Sequence, residues 1–115
     1  MSRFLPADHG KGDERTIGGY AAVHARPAAL EGRDGMSYSV EILVDTTGEP
    51  QRPFGAYFLF LRWKRMGPQG IAGHLESEFL VWGDDAEAPR SALGAFLIED
   101  VQRILDDLIR ARGAE

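Results

Sequence analysis

Residues 54–65, FGAYFLFLRWKR, constrain the chain most, because they form its only run that is apolar on both faces of an extended strand. Read with period two, Tyr57, Leu59, Leu61 and Trp63 fall on one side. Phe54, Ala56, Phe58 and Phe60 fall on the other, ending in Arg62 and Lys64. Such a strand belongs at the centre of a sheet, and both of its faces need cover.

Neighbouring segments supply the rest of a sheet. Residues 36–45 alternate most clearly, with Tyr38, Val40, Ile42 and Val44 on one side and Ser37, Ser39, Glu41, Leu43 and Asp45 on the other. That pattern predicts a strand with one wet face. Residues 46–53, with Gly48, Pro50 and Pro53, read as the hairpin loop into the central strand. A short strand is predicted over 19–26, where Ala21, Val23 and Ala25 alternate with Tyr20, Ala22, His24 and Arg26 until Pro27 stops the ladder. A further strand is predicted over 71–82, with Leu75, Phe79 and Val81 inward and His74, Glu76, Glu78, Leu80 and Trp82 outward. Residues 28–35 and 66–70 are turn-rich links.

After Gly83-Asp84-Asp85, a short helical turn containing Pro89 leads into an amphipathic helix, with either aspartate placed to cap it. Leu93, Leu97, Val101, Ile104, Leu105, Leu108 and Ile109 share one stripe, and Gly94 leaves the start at either Ser91 or near Leu97. Glu99 with Arg103 and Asp106 with Arg110 are i,i+4 pairs, and Gly113 suits the end. The expected fold is therefore α+β: a four-stranded antiparallel β-meander followed by a C-terminal helix packed on one sheet face (ββββα). It occupies residues 18–113, preceded by a flexible leader over 1–17.

At 115 residues, the chain fits one domain, which buries roughly two thirds of its unfolded surface. The absence of cysteine excludes disulfides, thiol catalysis and cysteine-ligated metals. A net charge of −5 argues against a general phosphate-backbone binder. No apolar run approaches the roughly 18 residues of a membrane helix, and residues 1–19 lack a signal-like apolar core, so a cytoplasmic location is expected.

Four polar patterns bear on chemistry. His74, Glu76 and Glu78 share one strand face by the alternation, and with His24 from another strand they offer imidazole and carboxylate ligands suited to zinc or iron. The bland reading is the solvated face of an antiparallel strand, and no metal or other cofactor is expected. Arg62-Trp63-Lys64-Arg65 after Tyr57, Phe58 and Phe60 has the basic and aromatic texture of single-strand nucleic-acid platforms, some of which are ββββα modules. The opposing expectation pairs Arg62 and Lys64 with Glu76 and Glu78 across a hairpin. Ser37 and Ser39 lie outside any G-x-S-x-G context, and Gly67, Gly70 and Gly73 match no phosphate-binding loop. Glu41 and Asp45 with Glu76 are a weak acid/base signal, and no catalytic residue stands out.

The apolar anomaly outweighs these. One helix covers one sheet face, so either Phe58, Phe60, Leu43, Leu80, Trp82 and Tyr20 are left over, or Tyr57 and Trp63 are. Either set marks an interface unless the leader or the 27–35 link folds across it. The expected function is a noncatalytic interaction module that forms a homodimer through this face, with Phe58, Phe60, Arg62, Leu80 and Trp82 as interface candidates. A small enzyme or metal-binding protein using His74, Glu76 and Glu78 is the second reading, and a single-strand nucleic-acid binder the third.

Overall fold

The computed structural model describes residues 7–64 and 70–113. Among them the chain forms three helices and five strands: α1 (Ile17–His24), β1 (Ala29–Glu31), β2 (Ser37–Thr46), β3 (Phe54–Trp63), β4 (Ile71–Glu76), β5 (Val81–Gly83), α2 (Glu87–Gly94) and α3 (Ile98–Gly113). The class is α+β with an antiparallel sheet. Its spatial order is β1-β2-β3-β4, with β5 pairing with the opposite end of β3. The β2–β3 hairpin pairs without a break from Ser37↔Trp63 to Thr46↔Phe54. Thr47 closes it, donating its N–H to Pro53 O at 2.9 Å and its hydroxyl to Arg52 O at 2.6 Å. Gly48, at φ +79°, supplies the left-handed residue that the turn needs.

The core lies on one side of the sheet. Tyr38 and Val40 from β2 and Ala56, Phe58 and Phe60 from β3 pack in one cluster with Ile17, Leu93, Val101 and Leu105 from the helices. Each fully buried Leu or Phe contributes about 1.5–3 kcal/mol. No helix among the described residues is long and apolar enough to cross a membrane.

Residues 19–26 are not a strand. Thr16 caps α1, its hydroxyl accepting the Gly19 N–H at 3.0 Å. The run is mostly small or apolar, so its alternation carried little contrast, and the Thr16 cap with burial of Ile17 and Val23 decided for helix in spite of Gly18 and Gly19. The edge position goes instead to β1, inside the stretch expected to be a link.

The strand expected over 71–82 is divided. Glu76 pairs with Leu59 but Val81 pairs with Ala56, so β4 and β5 both lie along β3 with two extra residues between them. Ser77 N–H still reaches Phe58 O at 3.0 Å and Leu80 N–H reaches Ala56 O at 2.9 Å. This double bulge reverses the local alternation. Phe79 turns to the side of Tyr57, and Leu80 packs on the core.

The C-terminal stripe is also divided, between α2 and α3. The interruption hands backbone groups to the segment before α1: Ile17 N–H donates to Phe96 O at 2.9 Å, and Ile98 N–H donates to Arg15 O at 2.8 Å. Leu97, placed on the stripe by its spacing, is 38% exposed. The helix charges pair at i,i+3, Arg103 with Asp100 at 3.1 Å and Arg110 with Asp107 at 3.2 Å. Asp106 instead accepts the Arg33 N–H at 2.8 Å.

Of the expected leader, residues 1–6 lie outside the described residues. From Asp8 onward the segment is tied to the helical side of the sheet, where Asp8 N–H donates to Val23 O at 2.9 Å.

Candidate functional site

Directly paired residues of an antiparallel ladder project to the same side of the sheet. The side away from the helices therefore carries Leu43 from β2, Tyr57, Leu59, Leu61 and Trp63 from β3, and Trp82 from β5, all outside the buried cluster. Glu41 stands opposite Leu59, Leu59 opposite Glu76, and Leu61 opposite His74. Neither the described part of the leader nor residues 27–35 crosses this face, since the first docks beside α1 and the second forms the sheet edge.

Local contacts fix both ends of the apolar stripe. The Trp63 indole N–H donates to Ser39 Oγ at 2.9 Å. At the other end, the Arg52 guanidinium carbon sits 4.0 Å from the centre of the Trp82 ring, a cation–π contact. The two tryptophans remain 37% and 36% exposed. Phe79 meets Tyr57 edge-on, with ring centroids 5.7 Å apart. It lies over Gly55, where a Cβ would come 2.5 Å from the Phe79 ring, so glycine is what lets that ring lie flat on the sheet.

Phe58 and Phe60, expected at the interface, are fully buried. The helices chose the Phe58 side, and the parity of β3 then left the odd-numbered residues on the other. Arg62 also belongs to the helix-covered side, opposite Tyr38 and Gly73, so it pairs with neither Glu76 nor Glu78. Lys64 is exposed just past β3. Leu80 packs on the core because of the double bulge. Trp82 stands on the open side, where the alternation put it.

His74 Nε2 and Glu76 Oε1 share that side at 3.9 Å. Glu78 follows the end of β4, inside the bulge, so the series at i, i+2 and i+4 is broken before its third member. No group of three potential metal ligands converges among the described residues. Glu41 and Glu76 flank Leu59 from opposite strands, roughly 10 Å apart by strand spacing, too far to share a proton.

His24 lies elsewhere, on α1, in a cluster that the strand reading of 19–26 concealed. Glu14 sits between two imidazoles, with His9 Nδ1 2.7 Å from its Oε2 and His24 Nε2 2.8 Å from its Oε1. Hydrogen bonds from His9 first, and then His24, hold the Glu14 carboxyl below the ordinary carboxylate range. Tyr20 stacks on His24 with centroids 4.3 Å apart. The cluster ties residues 9–14 to α1.

No protein-family model, no curated protein and no solved structure matches the chain.

Proposed function

We propose that the protein is a noncatalytic interaction module that pairs with a second copy of itself through the open face of its sheet. The observation that carries this reading is the stripe of Leu43, Tyr57, Leu59, Leu61, Trp63 and Trp82, which no described helix covers and which Phe79 and Arg52 overlie only towards its β5 end. Contiguous apolar surface of this kind, half-buried at its centre and exposed at its two tryptophans, marks contact sites.

The register also favours a second copy over another partner. A two-fold axis lying in the plane of the face, across the strands and between Leu59 and Leu61, sets Leu59 on the partner's Leu61 and Tyr57 on the partner's Trp63. The same operation sets Glu76 against the partner's His74, because these flank Leu59 and Leu61 on β4. An isologous contact repeats each pairing and leaves no copy uncovered. Static light scattering at micromolar concentration tests the proposal. The expected mass is that of two chains, falling to one chain for Trp63→Glu, and a wild-type mass of one chain overturns the reading.

A further inference from the structure

At the end of the sheet opposite β5, a pocket of about 200 Å³ is lined by Asp34, Tyr38, Arg62, Leu75, Ile109 and Arg112. It lies on the helix-covered side, between β2, β3, β4 and the last turns of α3, and is separate from the proposed contact face. Arg62 is the unexplained member. Its Nε is buried and has no hydrogen-bond partner among the described residues. Its guanidinium crosses Gly73, where a Cβ would come 3.0 Å from Nη2, so the glycine leaves the space that the side chain fills. Nη2 makes a long contact of 3.4 Å with Ala72 O, and the guanidinium also faces the Tyr38 hydroxyl, where it opposes the upward shift of that phenol. A buried N–H without an acceptor is costly, and native structures rarely leave one without a reason.

Other lining groups explain what is missing. Arg112 donates from Nη1 to His74 O at 3.2 Å, which anchors a second guanidinium at the pocket. Among the described residues neither arginine forms an ion pair with a carboxylate. Asp34 does not neutralise them. Its Oδ2 accepts the Tyr38 hydroxyl at 2.7 Å and its Oδ1 accepts the Met36 N–H at 3.0 Å. The lining thus holds two positive charges against one negative, over an apolar floor of Leu75 and Ile109.

We propose that this pocket binds a small oxyanion, a carboxylate or phosphate group, held by the Arg62 guanidinium and by Arg112. The planar guanidinium edge matches two oxygens of such a group. The volume is below the roughly 300–1,000 Å³ of pockets for drug-sized ligands, so the ligand is a small acid with little more than its anionic group and a short apolar part.

The test is a titration of the full chain followed through the arginine Nε–Hε signals in proton–nitrogen correlation spectra. Sodium phosphate, sodium acetate and sodium chloride are added at matched ionic strength. The Arg62 Nε–Hε signal is expected to move saturably with phosphate or with acetate but not with chloride. A response to phosphate alone assigns a phosphate site, and one to acetate alone a carboxylate site. Arg112→Gln, at an exposed helix end, is expected to keep the fold and weaken binding at least tenfold, the loss of one charge-assisted hydrogen bond. An Arg62 signal that stays still, that drifts alike with all three salts, or that saturates at unchanged concentration in Arg112→Gln overturns the proposal.

Discussion

Tyr38 donates its hydroxyl hydrogen to Asp34 at 2.7 Å, and through that bond a buried ring fixes the turn that joins β1 to β2. The same turn is closed by Gly32 N–H on Met36 O at 2.8 Å and by Gly35, which takes φ +78°. Tyr38→Phe keeps the ring and removes the bond, and is expected to cost about 1 kcal/mol. Burial first, and then the Asp34 carboxylate, raise the Tyr38 phenol above its ordinary value of 10.0. The unfolded chain therefore loses this proton at lower pH than the folded one, so the contribution is full below about pH 10 and is lost as pH rises through the folded value. Urea denaturation across the alkaline range is expected to show a steeper loss in wild type than in Tyr38→Phe. Equal slopes would count against this coupling.

The contact between α1 and α2 is asymmetric in its two glycines. A Cβ on Gly18 would come 2.9 Å from Gly94 Cα and 3.0 Å from Gly94 O, both backbone atoms, whereas a Cβ on Gly94 finds Gly18 Cα at an ordinary 3.6 Å. Gly18→Ala is expected to destabilise by about 1–3 kcal/mol as the helices are forced apart. Gly94→Ala is expected to be neutral or mildly stabilising, since alanine is the better helix former by up to about 1 kcal/mol. Thermal melts of the two variants rank them directly, and the reverse order would contradict this packing.

Alternate residues of β3 should behave as two populations. Phe58→Ala removes a fully buried ring and is expected to cost about 3–5 kcal/mol. Leu61→Ala, on the open face, is expected to cost far less in a dilute, monomeric sample. Similar losses at both sites in denaturant titrations would mean that both faces are filled within one chain.

A charge exchange addresses the pairing of copies. His74→Glu places carboxylates against one another across the proposed axis and is expected to weaken association at least several-fold, like charges in an interface being unfavourable. Adding Glu76→Lys to that variant restores opposite signs and is expected to recover dimer. Sedimentation equilibrium distinguishes rescue from additive loss, and an additive loss would reject the two-fold register.

The residues that made the sheet legible were those with strong contrast. Residues 36–45 and 54–63 alternate against polar partners or carry large side chains, and they fold as read. Residues 19–26 carried little contrast, and the deciding group was Thr16, a cap lying within the expected leader. The double bulge at 77–80 was invisible because periodicity assumes an unbroken ladder, and two extra residues restore the same parity on each side. This is why the alternation puts Trp82 on the open face yet exchanges Phe79 and Leu80. For the open surface, the alternation offers two sets of residues, and neither remains as composed: Tyr57 and Trp63 of one stay open together with Leu43 and Trp82 of the other, while Phe58, Phe60, Leu80 and Tyr20 belong to the core side. The helices settled which side of β3 is covered, and the register of β2 and β5 settled which neighbours share the open one. The Arg62 pocket needs Gly73, Tyr38 and Arg112 brought together from distant parts of the chain, and no local spacing announces that.

The bridge between Thr16 and Leu97 bears on how the chain reaches this state. Nearly the whole described chain lies between those two residues, so the entropy of closing that loop is met only after β2, β3 and the segment preceding α3 are in place. During synthesis, residues 13–24 leave the ribosome before α2 and residues 96–98, on which they dock. α1 is then expected to acquire a fixed position after α2 and α3, although it is made before them. Pulse-labelled hydrogen exchange during refolding is expected to protect the amides of α1 after those of the β2–β3 hairpin, and protection in the opposite order would separate early helix formation from this long-range closure.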